Sequence, residues 1–171
     1  MSRWLAALPL IALLALGALF GFYALHRNPQ VQPQALVGKP APALSLPTLK
    51  EGTPTSVPQA AAAGPIILNF FASWCGPCEI ENPVLMTLKG DKVRVVGVAY
   101  KDAPQNTTGF LNRLGDPYTE VLVDRDGRAG VEFGVTGVPE TYVVAADGRI
   151  LAKHTGPLTE ADAAKLAAMT R

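Results

Sequence analysis

The stretch IILNFFASWCGPC, from Ile66 to Cys78, leaves the rest of the chain little freedom. Ile66 to Phe71 is apolar apart from Asn69, with the length and β-branched content of a strand buried on both faces. A helix is expected to start at or near Cys75, because Pro77 suits a first turn and Glu81, Val84, Leu85 and Leu88 fall at i, i+3, i+4 and i+7 on one face. Pro83 is expected to kink it. A buried strand feeding an amphipathic helix needs further strands beside it.

Those strands are legible. Val93 to Tyr100 reads as a second buried strand, and Asp102 as the cap of a helix from Pro104 to Leu114 that stops at Gly115. A third strand covers Glu120 to Val123, followed by an Asp126-Gly127 turn and an irregular stretch to Gly137. Thr141 to Ala145 and Arg149 to His154 flank Asp147-Gly148, a hairpin signal, and Thr159 caps a final helix with Glu160 and Asp162 in its first turn. Upstream, ALSLPTL and Thr53 to Val57 read as short strands around a Glu51-Gly52 turn, while Ala60 to Ala63 carries no interpretable pattern. With right-handed crossovers these elements build an α/β domain, a mixed central sheet with helices on both faces.

From Trp4 to Leu25 no side chain is charged, and the run is long enough to cross a hydrocarbon layer of about 30 Å as a helix. It is expected to be a membrane anchor rather than a cleaved signal peptide, whose apolar core is shorter and ends at a small-x-small site. The proline-spaced segment that follows reads as an extended tether. The expected organisation is an anchor over 1–27, a linker over 28–36 and one domain over 37–171. Roughly 140 residues outside the anchor suffice for one core and not for two. A net charge of +1 provides no field for a nucleic acid, which is not expected as a partner.

Cys75 and Cys78 are the only cysteines. At a helix N-terminus a thiol faces unpaired N–H groups and the positive end of the helix dipole, both of which favour thiolate. Cys78 lies one turn further along the same side, so the two sulfurs can bond while only Cys75 is easily reached. The expected chemistry is attack by Cys75 and resolution by Cys78. The rival reading, half of a zinc site, lacks its other two ligands, because His26 and His154 are the only histidines and stand far apart; no metal is expected. A purely structural disulfide is the other rival, although so short a loop removes little unfolded-state entropy. Trp74 reads either as packing or as an apolar lip on which a partner docks.

FFASWCGPC, followed much later by GVTGVPETYVV and a closing hairpin and helix, resembles the thioredoxin fold. The N-terminal run, VGKPAPALSLPTL, LNFFASWCGPCEIENPVL, VVGVAYKD, LGDPY and GVPET together are similar to the membrane-tethered thioredoxin-like proteins of cytochrome c maturation, the CcmG or DsbE group, over nearly all of residues 37–171. That resemblance implies a cis Val138-Pro139 bond in a loop against the cysteine pair, with the Val138 backbone pairing with an extended substrate segment. It implies a bacterial inner-membrane protein with its domain in the periplasm, which reduces the disulfide of apocytochrome c so that its C-x-x-C-H thiols accept haem. Re-reduction falls to a membrane thiol carrier of the DsbD or CcdA type, and no cofactor is expected beyond the Cys75–Cys78 pair. Gly76-Pro77, between the cysteines, is the dipeptide of general thioredoxins, which points toward a broader set of exported substrates. A module that only binds apocytochrome or haem is the remaining alternative.

Two carboxylates stand out against that family background. Where thioredoxins carry a buried Asp before the thiols, this chain has Asn69, which takes up no proton, whereas Glu81 falls on the apolar stripe of the active-site helix, three residues past Cys78. Partial burial is expected to raise its pKa and make it the proton acceptor for Cys78; the alternative is a helix-surface Glu. Glu140, after the expected cis-proline, reads either as a border of the substrate groove or as a solvated loop residue. Tyr100, Lys101 and Asp102, at a strand exit, are further groove candidates.

Overall fold

The computed structural model describes residues 8–26 and 36–171. The chain divides into two units, 1–32 and 33–171. In the first, helix α1 (Leu8–His26) has 19 residues, and its leucines and Phe20 are exposed from Leu10 onward to that ring. Among the described residues no helix is long and apolar enough to cross a membrane. Of the expected anchor over 1–27 and linker over 28–36, residues 1–7 and 27–35 lie outside the described ones.

The second unit opens with strands β1 (Ser45–Pro47) and β2 (Pro54–Ser56), antiparallel with Ser45 opposite Ser56. The uninterpreted alanine run belongs in part to helix α2 (Val57–Ala61), which a capping box starts: Gln59 N–H donates to Ser56 Oγ, and Ser56 N–H donates to Gln59 Oε1. Strand β3 (Ile66–Phe71), helix α3 (Gly76–Gly90), strand β4 (Val95–Tyr100), helix α4 (Pro104–Leu114) and strand β5 (Glu120–Asp124) follow in the expected order. Pro83 lies inside α3, its missing N–H tolerated within the helix.

β3, β4 and β5 are parallel. Two crossovers stepping the same way across the sheet put α3 and α4 on one face. The segment expected to be irregular contains helix α5 (Arg128–Glu132), because the buried Asp124 carboxylate accepts from the N–H groups of Ala129 and Gly130 and holds its first turn. Strands β6 (Glu140–Val144) and β7 (Ile150–Thr155) form the expected hairpin, in which β6 pairs antiparallel with β3 and so completes the order β5-β4-β3-β6-β7. Helix α6 (Glu160–Ala168) starts on a Thr159–Asp162 capping box.

Every residue of β3 is buried. Ile66, Leu68 and Phe70 pack with Leu122, Phe133 and Tyr142 on one side; Ile67 and Phe71 pack with Leu85, Phe110, Tyr118 and Leu166 on the other. The period of two puts Asn69 on the second side, that of the active-site helix. At Gly97 of β4 a Cβ would lie 2.8 Å from Phe71 and 3.0 Å from Tyr118. Glycine there lets the two rings stack with centroids 4.6 Å apart.

One cap differs from expectation. The N-cap of α4 is Ala103, which makes no side-chain cap. Asp102, one residue earlier, instead accepts from Ala103 N–H, from the Thr107 hydroxyl, and from both the N–H and hydroxyl of Ser73. Those four donors turn it inward, away from any groove, and tie the strand exit of β4 to the segment leading into Cys75.

Candidate active site

The site is built where β3 ends and α3 begins. Cys75 is the N-cap of α3, and Gly76 and Pro77 form its exposed first turn. Cys75 and Cys78 are bonded to each other, with their Cα atoms 5.3 Å apart. Cys78 N–H points at Cys75 Sγ from 3.2 Å, the orphan donor of a helix start turned onto the sulfur. In the reduced protein the same N–H stabilises a thiolate there. The expected contrast in access is not found: Cys75 is 4 % exposed and Cys78 2 %. Bonded sulfurs shield one another, and the Val138 carbonyl oxygen lies 3.5 Å from Cys75 Sγ.

The cis-proline loop and Trp74 lie beside the pair, with Lys101 behind Trp74. The Val138-Pro139 bond is cis, and the loop that carries it brings Val138 to Cys75. Trp74 is 61 % exposed and held at its edge, with Nε1–H donating to the Lys101 carbonyl at 3.3 Å, so it stands beside the cysteines as a surface ring rather than in the core. Lys101 takes a left-handed φ of 48° there, and its ammonium lies 5.2 Å from the Tyr100 ring centre.

Glu81 is 1 % exposed, more deeply buried than its position on the stripe alone predicts. Asn69 Nδ2–H donates to Glu81 Oε1 at 2.9 Å and Leu158 N–H donates to Oε2 at 3.0 Å. Burial raises its pKa from an ordinary 4.5 to about 7, against the pull of those two donors. Asn69 is itself fully satisfied: Nδ2 also reaches Thr141 Oγ1 at 3.0 Å, and the Tyr118 hydroxyl donates to Oδ1 at 2.8 Å. Burial, with the nearby Glu81 and Asp116 charges, pushes the Tyr118 hydroxyl pKa well up, so it stays a donor.

Glu140 corrects both of its expected readings. It is fully buried, neither solvated nor at a groove edge. Lys153 Nζ meets Oε2 at 2.8 Å, the Tyr142 hydroxyl donates to the same oxygen, and Thr136 gives its N–H and hydroxyl to Oε1. Residues 140, 142 and 153 share one face of the β6–β7 hairpin, Tyr142 lying opposite Lys153 in the register, and that face is turned away from the active-site helix.

Tyr118, Thr141, Leu158 and Lys153 were not among the residues singled out in the sequence. A signal for the first two existed: Asn69 in the middle of a strand buried on both sides obliges partners for its amide. Among the described residues no group of three or more His, Cys, Asp or Glu side chains could hold a metal ion.

Comparison with known proteins agrees with this geometry. The chain is 42% identical over 162 residues to the thiol:disulfide interchange protein HelX of Rhodobacter capsulatus, covering 94% of this chain and 91% of that one. It is 42% identical over 154 residues to the thiol:disulfide interchange protein DsbE of Allochromatium vinosum, covering 90% and 84%. Among solved structures, a thiol:disulfide interchange protein of the thioredoxin family from Chlorobium tepidum superposes with a TM-score of 0.62 at 31% identity, over 77% of this chain and 94% of that one. With a reactive pair on a thioredoxin-type sheet and relatives of this kind along its length, the chain is a thiol:disulfide oxidoreductase of the DsbE type and belongs to the redoxin family, which it matches over residues 36–169.

Proposed function

We propose that this oxidoreductase is a membrane-anchored reductant of the periplasmic side, and that its substrate is the C-x-x-C-H disulfide of apocytochrome c. The observation that carries the reading is the placement of Cys75 at the start of α3, under Cys78 N–H and beside the Val138 carbonyl. The exposed leucines of α1 support the anchor, because such a run is stable in an apolar medium and not in water.

In the reduced protein the Cys75 thiolate attacks one sulfur of the substrate disulfide. That bond breaks, a mixed disulfide forms, and the other substrate sulfur leaves as a thiolate. Glu81 takes the proton of Cys78; the new thiolate attacks Cys75 Sγ, the mixed disulfide breaks, and the second substrate sulfur leaves. Two electrons pass to the substrate and the Cys75–Cys78 bond closes. A membrane thiol carrier of the DsbD or CcdA type reverses the closure. Trp74 and the Val138-Pro139 loop form the docking edge, Trp74 supplying apolar area and Val138 backbone pairing.

Cys78→Ala tests this. The variant is expected to accumulate a covalent adduct through Cys75 in membranes of a cytochrome c-producing host, and the adducts to be dominated by C-x-x-C-H proteins. A wide spread of exported partners favours the broader role that Gly76-Pro77 suggests. No adduct at all leaves only a binding module.

A further inference from the structure

Tyr118 occupies a position no step above uses. It is 4 % exposed, its ring is fixed by the stack on Phe71 and the gap left by Gly97, and its backbone N–H is anchored on Asp116 Oδ1 at 2.9 Å. Its hydroxyl therefore has one place to be, 2.8 Å from Asn69 Oδ1. From there the hydrogen bonds run in one direction, Tyr118 O–H to Asn69 Oδ1 and Asn69 N–H to Glu81 Oε1.

We propose that Tyr118 is a positioning residue for proton transfer: its hydroxyl fixes the orientation of the Asn69 amide, so that Glu81 is always shown an N–H and never a C=O. The inference rests on the reading that Glu81 takes the Cys78 proton, and adds the device that keeps its carboxyl ready to do so.

The argument is one of donors and acceptors. An amide can be turned over at little steric cost, since its oxygen and nitrogen are nearly the same size. Turned over, Asn69 faces Glu81 with an acceptor, and two acceptors in contact are tolerated only when the carboxyl carries a proton to place between them. The Tyr118 hydroxyl opposes that turn, because its hydrogen loses the Oδ1 acceptor within a buried site. Thr141 does not make the choice, since a hydroxyl accepts from or donates to either end. The ionisable group facing Glu81 is Tyr118, with Asp116 behind it, from the segment before β5; Cys78, one turn back on α3, is bonded to Cys75 and does not titrate in the oxidised protein, and Asn69, Thr141 and Leu158, from the other elements around it, carry no charge. Among the described residues, only N–H donors hold its anion.

Tyr118→Phe frees the amide to turn, and a carboxyl that loses an N–H binds its proton more tightly. The test is the titration of the Glu81 side-chain carboxyl carbon by NMR in the full-length oxidised protein, the resonance assigned through Glu81→Gln. The midpoint is expected to rise in Tyr118→Phe by about one pH unit, tenfold in proton affinity. A midpoint that stays within about 0.2 units of the parent overturns the proposal, whatever happens to stability. Should Tyr118→Phe not fold, meta-fluorotyrosine at position 118 decides: it keeps the shape and donates more strongly, so the midpoint is expected to fall, and an unchanged midpoint overturns the proposal equally. The titration reads Glu81 directly, so it stays decisive if the catalytic reading fails. That failure has its own signature, a Glu81→Gln protein that resolves mixed disulfides at the parent rate.

Discussion

Glu81 and Glu140 are buried alike, at 1 % and 0 % exposure, yet the molecule treats them differently. Glu140 lies on the face of the sheet away from α3, paired with Lys153 and three further donors. Glu81 lies on the face beneath the cysteines with two N–H donors and, among the described residues, no cation. A buried carboxyl given an ammonium becomes part of the frame, because its charge is matched where it stands. One given only neutral donors sits near the balance between its two protonation states, which is where a proton acceptor is useful. On the proposed mechanism, that difference makes Glu81 the working carboxyl and Glu140 the structural one.

The largest expected effect breaks the framed member. Lys153→Met removes the cation and leaves Glu140 buried against Tyr142 and Thr136, which is expected to cost about 3–5 kcal/mol of stability. Urea denaturation at neutral pH measures it. A loss below about 1 kcal/mol, the size of an exposed pair, means that the pair is not the frame it is taken for here.

The unframed member is expressed in pH. Because the folded pKa of Glu81 lies above its ordinary value, the native state binds a proton that the unfolded state has released between pH 4.5 and about 7. Stability from this group is then fully present below 4.5 and falls as pH rises through about 7, by about 3 kcal/mol in all. Asp147 and Asp162, whose pKa values are lowered from 3.8, act below that window. The difference between the parent and Glu81→Gln, followed by denaturation from pH 4.5 to 8, is expected to carry this slope. Two flat and parallel curves remove the contrast between the carboxylates.

Which of the two was legible in the sequence follows from the same physics. Glu81 stood out because a helix repeats every 3.6 residues, so its place on a buried stripe three residues from Cys78 is a local fact. β3, the helix start at Cys75 and the Asp147-Gly148 hairpin were legible for the same reason. Glu140 was misread because its partner is Lys153, thirteen residues away across a hairpin, and only the β6–β7 register brings the two together. Asp102 went the same way, read as a local cap when its firmest donors come from Ser73 on another segment. Helix α5 was missed because its start is held by Asp124 side-chain bonds instead of by a capping residue next to it. The cis bond at Pro139 came from family resemblance and not from its residues.

A kinetic contrast is next in size. If Glu81 alone moves the proton of Cys78, Glu81→Gln slows resolution of a preformed mixed disulfide on the order of a hundredfold at neutral pH, at the lower end for loss of a general base. The rate of release of a chromophoric thiol from Cys75 reports it. Glu140→Gln, which keeps hydrogen-bonding atoms near Lys153, is expected to leave that rate within about threefold while lowering stability. A slowed rate in both variants denies Glu81 its special place.

The smallest expected effect concerns whether the carboxylates know of each other. Glu140 and Thr141 are consecutive on β6, so their side chains leave opposite faces: one toward Lys153, the other toward Asn69 and through it toward Glu81. The sheet backbone separates the two networks and, among the described residues, no side-chain hydrogen bond joins them, so Lys153→Met and Glu81→Gln share no partner. Their stability costs are expected to add within about 0.5 kcal/mol in a double-mutant cycle. A coupling above about 1 kcal/mol would mean that β6 transmits strain from one face to the other, and the ion pair would then help set the proton affinity of Glu81 instead of merely framing the sheet.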